Sequence, residues 1–532
     1  MTEPRSREKQ HPRAFEPAML IINIILSFFG AIIGLQIIAT LGVTPNTAII
    51  GVLVALVLSR IPLAIFRQFR DIQRQNLVQS TISSATFGAA NSLFLPIGIP
   101  FLLGRSDLII PMLIGATMGM VIDLLMLYWI FDSRAFPGNA AWPPGVAAAE
   151  AIYAGDEGGK RARLLFWGVG GGLVGSYFNI PMSALGITMI SNMWAMLMFA
   201  TGLLLRGYSV DLFGIDINKL YIPHGFMIGA GLVAGIQIML AMFKNKEKAV
   251  AEGEKAHTYT RSDSEMRTGL IRGICCYVIA GMALALISGL YTAMAPGQLL
   301  LWVVFAALAC ILAEFIVGLS AMHSGWFPAF ATSLIFLVLG ILLGFPPEAL
   351  ALLVGFVASG GPAFADAGYD FKAGWILRGK GSDWAFEREG RKQQLLSGMI
   401  GLAVAWITVA ASYNIYFSQN MLPPVDRVFA ATIKAGVDPS IISTLLMWAI
   451  PGAILQAAGG SRRQMGVLLS TGLLILNPAA GFTVLAGLAV RLYIEKYKGK
   501  EAMTSATIVA AGCIAGDALY GFFSSVWKAK WR

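Results

Sequence analysis

This sequence is poor in the residues that usually carry soluble chemistry. It has four cysteines and four histidines in 532 residues. Cys275, Cys276, Cys310 and Cys513 all lie in apolar runs without metal-ligand spacing, which excludes a disulfide framework and a metal centre of the zinc type. No Ser-His-Asp set, paired cysteine or His-x-x-x-His spacing occurs, and no Gly-rich phosphate loop runs into Lys-Ser/Thr. Charged residues make up only 13% of the chain, and no segment is long and polar enough to fold as an ATP-hydrolysing domain. An intramembrane prenyltransferase would need Asp-rich helices to hold magnesium pyrophosphate. Asp366 and Asp370 have the Asp-x-x-x-Asp spacing, but only once and at the edge of a basic loop. The residues therefore point away from an enzyme and call for no cofactor.

Apolar length is what the chain has in excess. It is 57% hydrophobic, with a mean hydropathy of +0.70 and many apolar runs long enough to cross a hydrocarbon core. That composition predicts an all-α polytopic membrane protein of about 15–16 transmembrane helices. The chain divides into a polar tail over 1–14, a first membrane half over 15–243, a charged linker over 244–266 and a second membrane half over 267–532. The net charge of +10 sits in short loops beside apolar runs, which is the positive-inside pattern of a multi-pass cell-membrane protein and not a nucleic-acid face. The run from Phe15 to Leu41 is too long for a signal-peptide core and reads as an uncleaved first span behind a cytoplasmic N-terminus. Seven crossings from there would leave the basic linker outside. One of the segments 77–103, broken by Pro96 and Pro100, and 182–205 is therefore expected not to cross as a single helix.

One pattern occurs twice. Pro143-Pro144-Gly145 through Gly155 is echoed by Pro423-Pro424 through Gly436: a Pro pair that starts a helix, then a Gly that ends it. With Ile152 laid on Ile433, the same offset of 281 places Leu164-Leu165-Phe166-Trp167 on Leu445-Leu446-Met447-Trp448, and Ala230 to Gly235 on Ala511 to Gly516. Two homologous halves follow, each with a short, re-entrant-like helix. Such interrupted segments at matching places are the best pointer to a transporter's binding site, although a capped interfacial helix would read the same way. Glycines four apart, such as Gly168 with Gly172 and Gly512 with Gly516, fit close helix packing or a pathway lining.

Ionisable groups at membrane depth cost about 2.5–3.5 kcal/mol each on insertion scales, so those present are functional candidates. The short helices carry Glu150, Asp426, Arg427 and Lys434. Pro144, Gly145 and Pro424 mark the helix N-termini, where the unpaired N–H groups that follow each Pro pair would face a substrate carboxylate. Asp123, Glu314 and Asp517 lie inside long apolar runs, and Asp366 lies beside Ser359-Gly360-Gly361-Pro362, which reads as an unwound break. Glu150, Glu314 and Asp366 are the proton-coupling candidates. His323 could titrate near neutrality or be structural. The offset sets Asp517 against the amide-bearing stretch at Gln237 across a pseudo-symmetry axis.

Several blocks resemble the oligopeptide transporter (OPT) family, which includes the yellow stripe-like metal-chelate transporters. Asn76-Leu77-Val78-Gln79-Ser80 with Ser84-Ala85 is similar to the family's Asn-x-x-Gln-Thr-Ala-x-Ser-Ala block. Phe136-Pro137 through Gly155 resembles its Pro-x-Gly-x-Ala-x-Ala-Glu segment, and Asp370-Phe371-Lys372-Ala373-Gly374 its Asp-Leu-Lys-Thr-Gly motif. Ala511-Gly512 through Leu519 resembles the terminal Gly-x-x-Ala-Gly-Glu-Ala-Leu, with Asp517 where the family has Glu. The family's Gly-Ser-Ser-Asn-Asn-Pro region stands here as Gly318 to Pro328 without its Asn pair, which puts the substrate in question. The resemblance implies a proton-coupled importer of small peptides or peptide-like metal chelates, of prokaryotic type, and adds Gln79 to the substrate-binding candidates. Protons, lipid and the substrate are the expected partners, with a homodimer as a permitted assembly. A passive channel for a small polar solute and, behind it, an intramembrane enzyme are the alternatives.

Overall fold

In lipid every backbone polar group must be satisfied within its own segment, so long apolar runs fold as helices. The computed structural model describes residues 10–41, 48–62, 64–241, 259–436 and 440–528, and among these it is helical with no β-strand. The first half contributes α1 Pro17–Leu41, α2 Ala48–Arg60, α3 Ile72–Leu102, α4 Ser106–Ile130 and α5 Pro143–Glu157. It continues with α6 Gly159–Tyr177, α7 Met182–Ile190, α8 Met193–Phe213 and α9 Ile222–Ala241. The second half opens with α10 Asp263–Ile287, α11 Pro296–Ser324, α12 Ala329–Leu342, α13 Pro347–Leu377 and α14 Trp384–Ser418. It closes with α15 Pro424–Ala435, α16 Ile441–Gly460, α17 Met465–Leu474, α18 Pro478–Tyr497 and α19 Gly499–Lys528. Among the described residues eleven helices are long and apolar enough to span a membrane, and four shorter apolar ones accompany them. This is an all-α polytopic membrane protein. Residues 1–9 of the tail and 244–258 of the linker lie outside the described residues.

The centre is α13, buried at every position from Ala349 to Leu377. It packs on α3, α4, α5, α11, α12 and α14. Ser83 on α3 bonds Asp366, and Gln79, one turn earlier, bonds Asp370, one turn later, so α3 and α13 run antiparallel. The major contacts cross between halves: α3 lies along α14 and α4 along α13, while α6 lies along α19 and α9 along α16. At the α6–α19 crossing Gly168 and Gly172 face Gly512 and Gly516 so closely that a Cβ on any of them would meet the opposing backbone.

Two local expectations change and one alternative is decided. Ser359-Gly360-Gly361-Pro362 is no break, because α13 runs through it as one helix. The glycines there admit neighbours, Asp123 against Gly360 and Val317 against Gly361. Segment 77–103 is likewise continuous through Pro96 and Pro100, with π-helical turns over Gly88–Phe94. Segment 182–205 is the interrupted one. Its helix stops at Ile190, and Asn192 starts the next by accepting bonds from the N–H groups of Trp194 at 2.9 Å and Ala195 at 3.2 Å. The first short helix also overruns its expected Gly155 and ends at Gly158, whose φ of +66° is the left-handed region.

Candidate functional site

Four helix interruptions converge on one cavity of about 520 Å³, within the range typical of small-molecule sites. They are the starts of α5 at Pro144 and α7 at Ser183, the α11–α12 break at Gly325-Trp326-Phe327, and the α17–α18 break at Ile475 to Asn477. Phe87 of α3 and Tyr369 of α13 line the cavity with the aromatic rings of Trp326 and Phe327, and Asp517 of α19 lines it as well.

A break exposes backbone groups that must find partners. At the end of α11 they do. The Trp142 N–H donates to the Met322 carbonyl at 2.8 Å, the Ser191 hydroxyl to that of His323, and the Tyr369 hydroxyl to that of Gly325 at 2.9 Å. Gly325 takes a φ of +67°, and its N–H closes the helix on Ala321. The break is thus a built feature, pinned from α5, α13 and the α7–α8 turn. Asn477 caps α18 by accepting from the Ala480 N–H at 3.0 Å.

Asp517 is held by two donors from the other half: the Ser176 hydroxyl on one carboxylate oxygen and the Ser183 N–H, at 2.8 Å, on the other. It does not bond Gln237 across an axis. Gln237 exchanges hydrogen bonds with Gln456 instead, at 2.9 and 3.2 Å.

Beside the cavity lies a buried polar core. Ser83 donates to Asp366 at 2.6 Å and Gln79 to Asp370 at 2.5 Å, while the Gln394 amide donates to the Asp370 carbonyl at 2.7 Å. A space of about 10 Å³, room for roughly one water, is lined by Asp366, Ser84, Gly88 and Phe87. Phe87 is therefore shared between this space and the large cavity. Deeper in the bundle the Tyr277 hydroxyl bridges two buried carboxyls, Asp123 and, at 2.5 Å, Glu314.

A family model for the OPT oligopeptide transporter protein matches residues 16–243 and 214–528, nearly the whole chain. The chain belongs to the OPT family. No curated protein matches it. It is accordingly a multi-pass member of a family of membrane peptide transporters, whose members transport and do not catalyse.

Placed against the OPT motifs, the expected site residues separate into two groups. Pro144 lines the cavity, and Gly145 lets α5 press on Tyr369 and Lys372 of α13. Lys372 in turn donates to the carbonyls of Gly138 and Ala140 at 2.8 and 2.7 Å, fastening the loop before α5. Gln79 belongs to the polar core, and Glu150 is in a two-pronged bond with Arg161 at 2.9 Å. The second short helix lies elsewhere. Pro424 starts it, the buried Asp426 faces Gly98, Arg427 bonds Asn420, and Lys434 donates to the Leu102 carbonyl at 3.0 Å. Gln79 and Gly98 lie 19 residues apart on α3, about 28 Å along its axis, so the two short helices sit toward opposite ends of that helix, and no residue of the second lines the large cavity. The OPT segment that departs from its pattern, Gly318 to Pro328, supplies three cavity-lining residues. The cavity's aromatic wall and the Tyr277 bridge went unread in the sequence, since single aromatics in apolar runs look like ordinary packing.

Proposed function

We propose that this chain is a proton-coupled secondary transporter that imports small oligopeptides or peptide-like metal chelates across the cell membrane, with its N-terminus on the cytoplasmic side. The observation that carries the reading is the convergence of four helix interruptions on a cavity whose Phe87 wall abuts the Asp366 space. Broken helices around a central site are the usual architecture of such carriers. Substrate rests against Pro144, the aromatic wall and Asp517. Protons are carried by Glu314, within its bridge to Tyr277 and Asp123, and by Asp366. Glu150 keeps its bond to Arg161 and is assigned to stabilising the end of α5.

Two homologous halves, 15–243 and 267–532 around a linker, support alternating access. Moved by 281 residues, each of α1 to α9 overlies the matching member of α11 to α19, and only α10 among the long helices is left over. The matching helices α3 and α13 run antiparallel, as in inverted-topology repeats. The two short helices at opposite ends of α3 fit that inversion. One half would then rock against the other around the cavity.

Uptake into proteoliposomes, with and without an inward proton gradient, tests this with labelled di- to hexapeptides beside peptide-like iron chelates. Accumulation that collapses with a protonophore is expected. Equilibration without accumulation would instead make the protein a channel. Glu314→Gln is expected to abolish uphill uptake while sparing exchange; unchanged uphill uptake removes Glu314 from the mechanism.

A further inference from the structure

The residues lining the large cavity include one carboxylate, Asp517, and no Lys, Arg or His. Each oxygen of Asp517 accepts one bond, from Ser176 or Ser183, out of the roughly four a carboxylate can accept. Among the described residues Asp517 forms no ion pair, and it shares the cavity lining with four aromatic rings. The carboxyl group thus has two hydrogen-bond donors but no cationic partner among the described residues, in a cavity large enough for a ligand.

The other half of the chain indicates what the same position needs when only structure is at stake. At an offset of 280 to 281 residues, Gln237 corresponds to Asp517, Gln456 to Ser176 and Gln464 to Ser183. There the Gln456 amide donates to Gln237 at 2.9 Å and to Gln464 at 2.7 Å, and its oxygen accepts from the N–H groups of Gly466 and Val467 at 3.1 and 3.2 Å. Three neutral amides close the crossing and leave no charge. Holding the halves together therefore requires no carboxyl group at this position.

We propose that Asp517 is the specificity residue of the transport site and takes the α-ammonium group of a small peptide, two of whose three N–H donors would fill the roughly two acceptor positions left on its carboxylate. The adjoining faces of Phe87, Trp326, Phe327 and Tyr369 add cation–π attraction and bury the first side chain. This inference rests on the cavity being the peptide site. It predicts that a free N-terminus matters more than a free C-terminus, since no cationic side chain lines the cavity to receive a carboxylate.

The test is calorimetric binding to the purified full chain at neutral pH of three probes: tri-alanine, tri-alanine amide and N-acetyl-tri-alanine. Wild type is expected to bind the first two at least tenfold more tightly than the third. Asp517→Asn should reduce that ratio to under about twofold with little change for the acetylated peptide, and Asp517→Glu should restore most of it. Monodispersity and an unchanged melting temperature of Asp517→Asn verify that the variant is folded. If wild type binds all three alike, or if Asp517→Asn keeps the preference, the assignment to Asp517 falls and the cavity stands as the peptide site. If Asp517→Asn keeps the preference but loses uphill uptake, Asp517 carries a proton and not the ammonium group. If none of the three binds, the cavity is not the peptide site and both readings fall.

Discussion

At the scale of single residues, the least replaceable groups lie outside the cavity. Glu387 receives bonds from Arg378 at 2.7 and 3.1 Å and from Arg391 at 3.1 and 3.3 Å, and all three side chains are fully buried. Arg391 also donates to Thr260 and to the Phe131 carbonyl, so the cluster ties α13 and α14 to the turn after α4 and to the stretch before α10. Removing one member of such a set strands the others as unpaired buried charge, which typically costs about 3–5 kcal/mol. Glu387→Ala should therefore lower the melting temperature in detergent sharply, whereas Glu150→Ala, which breaks a partly exposed pair, should cost under about 1 kcal/mol. Equal small losses would remove the cluster from the account of stability. The sequence disclosed which positions were ionisable, because charges in apolar runs stand out. It could not disclose partners. Ser176 and Asp517 lie 341 positions apart, and only the α6–α19 crossing joins them.

The elements were easiest to anticipate where composition alone decides them. Sustained apolar runs became helices, and the Pro pairs at 143 and 423 open the two short ones. Reading fails where a local signal has two uses. Gly360-Gly361-Pro362 serves close packing and not unwinding, and of the two segments expected to be interrupted it is 182–205, at Ser191-Asn192, that breaks, while 77–103 runs on through its prolines. One small element responds to pH. The N-terminal approach to α1 docks on α14, with the Ala14 N–H donating to Gln393 at 2.9 Å and the His11 ring 5.3 Å from that of Phe386. Burial, helped by the nearby Arg378 charge, lowers the His11 pKa from 6.5 to about 4. Its folded-state pKa is depressed, so protonation favours the undocked segment: the docking energy is whole above pH about 6.5 and is lost as pH falls toward 4. Hydrogen exchange at residues 13–16, corrected for intrinsic rates, should speed up from pH 7 to pH 5, and His11→Phe should abolish the change. A pH-independent profile in the wild type would refute the docking argument.

On the scale of the whole molecule, neither half can complete itself. α6 finds its main neighbour in α19, and α9 finds its own in α16. Two chains cut between residues 243 and 259 and expressed together should therefore co-purify and recover uptake, while either alone should aggregate or be degraded. A first half that is stable by itself would contradict this. The cross-half pairing could not be read from the sequence offset, since an offset proposes which segments correspond but not which touch. The glycine face of α6 also has a history in time. Gly168 leaves the ribosome some 340 residues before Gly512, its counterpart at the crossing. At about 5–20 residues per second that is roughly 17–70 s, during which a bare stripe of backbone stands in the bilayer without its mate. For that interval the nascent protein depends on whatever shields small-residue surfaces during membrane insertion, so biogenesis, more than the finished fold, is where a slow or crowded membrane would exact its losses.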